Sequence, residues 1–408
     1  MKRIAINTGG GDAPGLNGVI RAATLGAINR GWEVIGIRQG YQGLIDPSGD
    51  GLIALDRDAV RGIAHIGGTI LGTTNRGDPF NYPVLSDGKL VPTDVSAQVV
   101  ARFKELGCEA LIALGGDGSM SLATRLMGRG LPRVIGVPKT IDNDLLGTDV
   151  TFGFETAVAT ATDAIDKLHT TAQAHRRVMV VEVMGRYAGW IALHAGIAGG
   201  GDVILIPEIP YEMGPLCEKI DARYDGGRPF AIVVVAEGAK AKGGEMSFRG
   251  EKSVFKEHAL LGGIAERIAH EIGEITGHET RSIVLGHLQR GGSPVTYDRV
   301  LAQRLGSAAA RYLDESSDSG LVAMVNGHTE LVPFAKVMGG TRNVTASDEL
   351  VLTARSLGIS FGDEPPGTFA QQPGSADSVR GVPRSGVSVR PSAGAIQADA
   401  EKTRKAAL

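Results

Sequence analysis

The chain is poor in cysteine: Cys108 and Cys217 are the only two in 408 residues. Two thiols exclude a disulfide-built scaffold and a four-thiolate metal site. A charge excess of either sign is also missing, with 42 Lys+Arg against 45 Asp+Glu and a formal net charge of −3. That balance excludes a general binder of nucleic acid or anionic membrane, which carries a basic excess or patch. No apolar run of about 18 residues occurs, so no transmembrane helix is expected. The opening Met-Lys-Arg leads into only a few residues, Ile4 to Asn7, before glycines begin. This is too short for the apolar region of a signal peptide, and a soluble cytoplasmic protein is expected. Hydrophobic residues, at 42%, still supply an ordinary core.

What the chain has in excess is glycine, 59 residues, about twice the usual ~7% share. At roughly 100–200 residues per domain, the length implies two or three domains. Strands are expected at 4–8, 33–38, 110–114, 133–137, 178–183, 203–207, 230–236, 282–285 and 321–325. Several are unbroken Val/Ile/Leu runs, which suits strands covered on both faces of a parallel sheet. Between them, helical spacing appears at 18–29, 94–106, 119–127, 156–169 and 262–275. Alternating strand and helix gives an α/β fold with crossover helices. From residue 364 the composition turns to Pro, Gly, Ser and Ala, and 364–408 reads as a disordered or weakly helical tail. In open parallel sheets ligands bind beyond the carboxyl ends of the strands, so the glycine-rich strand ends are the places to look for a site.

Thr8-Gly9-Gly10-Gly11-Asp12-Ala13-Pro14-Gly15-Leu16-Asn17 follows the first strand and precedes a helix. Glycines let backbone approach an anion, and the helix start adds N–H donors and a positive dipole end. The spacing is neither Gly-x-Gly-x-x-Gly nor Walker A, and a tight strand-to-helix turn would use the same residues. Leu114-Gly115-Gly116-Asp117-Gly118-Ser119 repeats the arrangement. A carboxylate among glycines suits Mg2+, which takes one or two carboxylates with phosphate oxygens and water. Ser119 can cap the helix or bond a phosphate. Pro138-Lys139-Thr140-Ile141-Asp142-Asn143-Asp144 ends another strand. In extended backbone residues i and i+2 face one side, so Asp142 and Asp144 are expected to share a site by alternation. One would take a proton from a substrate hydroxyl while the other orients metal or water. A solvated turn is the other use of such residues.

Glu182-Val183-Met184-Gly185-Arg186 ends a further strand, and Gly286-His287-Leu288-Gln289-Arg290-Gly291-Gly292-Ser293-Pro294 ends another. With Arg177 and Arg281 these supply four arginines and a histidine. Guanidinium binds phosphate bidentately, and together the four read as one site for a phosphorylated small molecule. Two anion cradles, a metal-type aspartate, a base-type pair and an arginine set fit phosphoryl transfer from a polyphosphate to a phosphorylated alcohol.

These residues resemble the 6-phosphofructokinases of the bacterial type. The run Gly10 to Gly15, the run Gly115 to Ser119, Thr140-Ile141-Asp142-Asn143-Asp144, Met184-Gly185-Arg186 and Gly286 to Pro294 match in order and spacing, over about residues 1–340. The resemblance implies two Rossmann-like parallel-sheet domains with the active site in the cleft between them. Residues 1–152 plus 289–338 would take Mg2+ and ATP, 153–288 plus 339–363 the sugar phosphate, and 364–408 would be a disordered tail. By the same resemblance Asp142 is the general base acting on the 1-hydroxyl of fructose 6-phosphate, with Lys139 beside it, and Asp117 is the Mg2+ carboxylate. Gly11, Gly116, Asp117, Gly118 and Ser119 form the donor-phosphate cradle, with Arg76 and Gly77 on the donor side. Thr140, Ile141 and Asp142 contact the sugar and the transferred phosphate. Met184, Gly185 and Arg186 hold the sugar phosphate and its transition state, and Glu237 accepts sugar hydroxyls. His287 and Arg290 grip the 6-phosphate, with Leu288 and Gln289 between them in the substrate site. Arg177 and Arg281 match arginines that the family contributes from a neighbouring subunit, so a homodimer or homotetramer is implied.

Two positions bear on the donor. Pyrophosphate users of the family carry an acidic side chain where this chain has Gly118, and a lysine where it has Lys139. Gly118 leaves room for a nucleotide α-phosphate, while Lys139 can steady charge on the transferred phosphate. A clash excludes more sharply than one charge does, so ATP is expected, in the mixed-substrate branch of the family. Pyrophosphate is the alternative donor, and a non-catalytic sugar-phosphate sensor is a distant alternative. The family's effector site is poorly matched, with Leu25 in place of an arginine, and a weak response to ADP or phosphoenolpyruvate is expected.

Overall fold

Runs of Val, Ile and Leu without polar alternation become strands covered on both faces. The computed structural model describes residues 2–369 except 47, 49, 75, 76 and 248–260. Its strands are β1 (Arg3–Thr8), β2 (Glu33–Ile37), β3 (Leu52–Ala54), β4 (Tyr82–Ser86), β5 (Lys89–Thr93), β6 (Ala110–Gly115), β7 (Arg133–Pro138), β8 (Val178–Val183), β9 (Val203–Leu205), β10 (Ala231–Ala236), β11 (Thr280–Val284), β12 (Gly320–Val325) and β13 (His328–Val332). A seven-stranded sheet runs β13-β12-β7-β6-β1-β2-β3, and a four-stranded sheet runs β11-β8-β10-β9. The smaller sheet is parallel throughout, and only the edge strands β3 and β13 of the larger are antiparallel. Strands β4 and β5 form a separate hairpin.

Both sheets are covered on two faces. In β1, Ile4 and Ile6 pack with Leu16 and Val19 on one side, and Ala5 packs with Ile37 and Phe103 on the other. In β8, Met179, Val181 and Val183 face one core, and Val178 and Val180 the opposite one. Each fully buried aliphatic side chain contributes roughly 1.5–3 kcal/mol. The chain leaves β1 for β2 on one side and resumes at β6 on the other, so a crevice opens beyond the carboxyl ends of β1 and β6. In the small sheet β8 lies between β10 and β11, which gives the corresponding position there.

Helices Trp190–Ala198, Met213–Asp225, Thr296–Glu315 and Glu349–Ser356 lie beyond those read from periodicity, as do β3, the β4–β5 hairpin and β13. Trp190–Ala198 is apolar around most of its circumference and shows no polar face to mark it. Thr296–Glu315 is interrupted in sequence by Gly306, where a Cβ would lie 2.5 Å from the Val19 carbonyl oxygen. That glycine lets this helix press against helix Leu16–Ile28. The beginning of the expected tail needs correcting. Glu364 accepts from the Phe361 N–H at 3.0 Å and pairs with Arg355 at 3.2 Å, and Phe369 is buried with the Lys219 ammonium 5.0 Å from its ring. One aromatic and one carboxylate suffice to anchor a stretch whose composition reads as loop. The rest of that tail, 370–408, lies outside the described residues.

Candidate active site

The glycine loop expected to take the donor hangs between β1 and β6. The Gly9 N–H donates to the Leu114 carbonyl at 2.9 Å, the Gly10 N–H to the Thr74 carbonyl at 3.3 Å, and the Thr73 hydroxyl to the Gly10 carbonyl at 2.6 Å. Thr73 is a support that sequence reasoning missed, since a lone threonine carries no signal. The glycines leave room for side-chain ends from other strand ends, and Gly10 stands at φ +76°. A Cβ at Gly9 would lie 2.8 Å from Ser119 Oγ, one at Gly10 3.2 Å from Lys139 Nζ, and one at Gly11 2.9 Å from Arg290 Nη1. Three polar side chains from separate strand ends therefore converge on one glycine loop. Asp117 opens helix Asp117–Gly128 and is exposed, where an acid complements the dipole. Gly116, Gly118 and Ser119 are half-buried beside it. Arg76 lies outside the described residues, and Gly77 is half-buried against Thr74.

Strand β7 lies beside β6, and the Lys139 N–H donates to the Gly115 carbonyl at 3.0 Å. After Lys139 the backbone is not extended as expected. Asn143 sits at φ +52°, in the left-handed region that Asn tolerates better than most residues. A buried turn, not strand alternation, brings Asp142 and Asp144 together. Its struts are the Asp142 N–H donating to Thr140 Oγ1 at 3.0 Å, the Thr140 hydroxyl donating to Asp144 at 3.3 Å, and the Thr151 N–H donating to Asn143 Oδ1 at 3.0 Å. Ile141 points away into the core.

Asp142 is 8% exposed, and its Oδ1 has no hydrogen-bond partner among the described residues. Burial pushes its carboxyl up, opposed by the positive charges of Arg290, Arg186 and Lys139, while Asp117 adds to the rise. Burial, then the charges of Asp142 and Asp117, raises Asp144 as well. Burial, then Arg290, pushes the Lys139 ammonium down to about 8. The charges of Lys139 and Asp117 thus both act on Asp142. Among the described residues no three or more His, Cys, Asp or Glu are grouped to hold a metal. A single carboxylate at a helix start, facing a glycine cradle, fits Mg2+ carried on phosphates and not a protein-only cage.

The other wall comes from the four-stranded sheet. Gly185 has φ +138°, and a Cβ there would lie 2.6 Å from the Ala188 carbonyl. Arg186 follows at φ +54°, its N–H donating to Glu237 Oε1 at 3.2 Å. Burial, then the charge of Asp142, pushes Glu237 up to about 7. Met184 is half-buried, with its N–H donating to Gln289 Oε1 at 3.3 Å. Gln289 is fully buried and also donates to the Gly286 carbonyl at 3.1 Å, so its side chain supports backbone. His287 and Leu288 are exposed. Arg290 reaches across to the donor loop, where Nη1 donates to the Asp12 carbonyl at 2.8 Å.

The four arginines do not form one set. Arg177 precedes β8 and Arg281 stands early in β11, level with Met179. They are separated from Met184 by the six-residue length of β8, roughly 20 Å at the ordinary strand rise. Both pair with the same oxygen of Glu279, at 2.8 and 2.6 Å. Parallel strands send their two ends to opposite sides of a sheet, which a linear reading of motifs does not register.

The family model described as Phosphofructokinase matches residues 3–313. The ATP-dependent 6-phosphofructokinase 2 of Clostridium perfringens is 50% identical over 366 residues, covering 89% of this chain and 99% of that protein. The ATP-dependent 6-phosphofructokinase of Chloroflexus aurantiacus is 49% identical over 363 residues, covering 89% and 98%. Among solved structures, the Pichia pastoris phosphofructokinase in the T-state superposes with a TM-score of 0.70 at 32% identity. That match covers 89% of this chain but 37% of the longer Pichia chain. A pyrophosphate-dependent phosphofructokinase from Marinobacter aquaeolei shares the fold, with a TM-score of 0.70 at 22% identity over 88% of each chain. With relatives half identical along most of its length, and the two-sheet α/β fold and glycine-cradled cleft in place, the chain belongs to the phosphofructokinase family.

Proposed function

We propose that this chain phosphorylates fructose 6-phosphate at its 1-hydroxyl with ATP, giving fructose 1,6-bisphosphate in glycolysis. It is an ATP-dependent kinase, as its relatives of about half identity are by name. One observation carries the reading: the buried Oδ1 of Asp142, without a partner among the described residues, at the seam between donor loop and sugar-side strands. Asp142 takes the proton of the sugar hydroxyl. The freed oxygen bonds to the γ-phosphorus while the bond to the ADP bridging oxygen breaks. Lys139 and Arg290 place positive charge beside the donor loop, where charge builds up. Gly11, Gly116, Gly118 and Ser119 offer clearance and donors to the polyphosphate. Mg2+ would be held by Asp117 together with phosphate oxygens, and when bound it neutralises their charge. Arg186 and Glu237 orient the sugar, with His287 and Leu288 at its phosphate end, while Arg290, expected there beside His287, instead contacts the Asp12 carbonyl.

The lobe built on β1–β3, β6, β7, β12 and β13 is read as the donor side (1–152 plus 289–338), and the lobe built on β8–β11 as the sugar side (153–288 plus 339–363). Arg177 and Arg281 are supplied to the sugar phosphate of a second copy, which makes the working unit a homodimer or homotetramer. Their placement away from Asp142 in their own chain supports this. A cytoplasmic setting follows from the substrates, and no helix among the described residues is long and apolar enough to cross a membrane. Buried Lys139 favours some use of pyrophosphate as a second reading. Initial rates with fructose 6-phosphate and each donor in turn test the proposal: ATP is expected to dominate, a faster pyrophosphate rate reverses the donor, and no turnover with either leaves only a sugar-phosphate sensor.

A further inference from the structure

After the short helix Phe334–Val337 the chain passes back over the catalytic turn, and Arg342 touches that turn twice. Its Nη1 donates to the Asn143 carbonyl at 3.1 Å, and its main-chain N–H donates to the Asp144 carbonyl at 2.8 Å. On its other side the Arg342 carbonyl accepts the Trp190 indole N–H at 2.7 Å, and the guanidinium lies 4.5 Å from the Trp190 ring centre. Trp190 is 4% exposed in the core against the small sheet. Val344, in the same core, fixes the segment further on, its N–H donating to Glu208 at 2.9 Å.

The turn needs such a grip. Asn143 at φ +52° occupies the left-handed region, less favourable than the ordinary ones even for Asn, which tolerates it better than most residues. No helix or strand ladder reaches residues 141–144, so their carbonyls need donors from elsewhere. Arg342 supplies two, from a segment anchored in the sugar-side lobe.

We infer that Arg342 is a positioning residue for Asp142, locking the turn that carries the base to the lobe that carries the sugar. This rests on the reading of Asp142 as base. The carboxylate follows β7 of the large sheet while the groups that hold the sugar stand on the small one, and Arg342, together with Ile141 packed in the small-sheet core, ties the turn to that side. A planar fork stacked on Trp190 does this where a lysine would not, because an ammonium neither stacks nor keeps the geometry.

Steady-state kinetics of the full chain provide the test. Arg342→Ala is expected to lower kcat about 10- to 100-fold, the loss typical of slight misplacement. The KM for fructose 6-phosphate should stay within about threefold, because the lost interaction acts on the reacting geometry. Arg342→Lys should recover less than half of the lost rate. Adding Arg342→Ala to Asp142→Asn should cost less than about threefold more, since both act through one carboxylate. An unchanged kcat in Arg342→Ala, even with a lower melting temperature, overturns the inference, and so does full multiplication of the two losses in the double variant. Asp142→Asn turning over like the unaltered chain is a separate failure, removing the base assignment itself.

Discussion

At the carboxyl ends of β8, β10 and β11 stand Arg186, Glu237 and Arg290, close enough to Asp142 to shift ionisation. At the amino ends of β8 and β11 stand Arg177, half-buried, and Arg281, exposed, both tied to Glu279. The same residue type serves different conditions at the two ends. At the carboxyl end the charges are drawn into a partly dry cleft where they act strongly on one another. At the amino end the pairs are partly to fully exposed, and such pairs contribute little within their own chain. That contrast fits the proposed sharing of the site between copies, in which the amino end of one chain offers a phosphate grip to another.

The largest expected effect tests the carboxyl end. Asp142→Asn should lower kcat by at least ~10², with the fructose 6-phosphate KM little changed, in a coupled initial-rate assay. Loss of a charge-assisted bond at the amino end comes next. Arg281→Ala or Arg177→Ala should raise that KM about 10-fold or more, from a bond worth roughly 1.5–3 kcal/mol. Co-assembling Asp142→Asn chains with Arg281→Ala chains should restore part of the activity, because a mixed interface holds one intact site. No recovery in verified hybrids would erase the division of labour between the two ends.

Lys139→Gly probes the donor wall. Any pyrophosphate activity should fall about 10-fold further than ATP activity, and equal losses would sink the charge argument. The smallest effect separates the two ends by pH. Glu237 is raised from 4.5 to about 7, so the native state keeps a proton that the unfolded chain has already released. Stability therefore falls as pH rises from about 4.5 to 7, by something on the order of 1–3 kcal/mol, and Glu237→Gln should flatten that slope in thermal melts. Glu279 is held below its usual value, chiefly by the Arg177 hydrogen bond. Its contribution has the opposite sign and is lost as pH falls through its native value. A common sign for Glu237→Gln and Glu279→Gln would break the comparison.

Much of the site is legible because its chemistry is local in sequence. Gly9-Gly10-Gly11, Gly115 to Ser119 and Asp142-Asn143-Asp144 each sit at one strand end, and short runs of Val and Ile mark those strands. Asp142 and Asp144 are rightly paired, though by a left-handed turn at Asn143 and not by alternation. Gln289 shows the limit: inside the right motif, its side chain is spent on the backbone of Met184 and Gly286. Helix Trp190–Ala198, covered all round, has no polar face to betray it.

The sequence by itself determined the strand-and-helix alternation, the glycines at strand ends and the inventory of acids, arginines and lysine, because propensity and backbone freedom act between near neighbours. Tertiary structure alone decided which of those groups meet. It set Arg290 against Gly11, Arg342 against Asn143, and Arg177 with Arg281 on the far side of a sheet. It also buried Asp142 with one oxygen unpaired among the described residues. The physical reason is that burial and pairing are made by residues remote in the chain, and an ionisation or a shared phosphate grip exists only where the fold has brought them into contact.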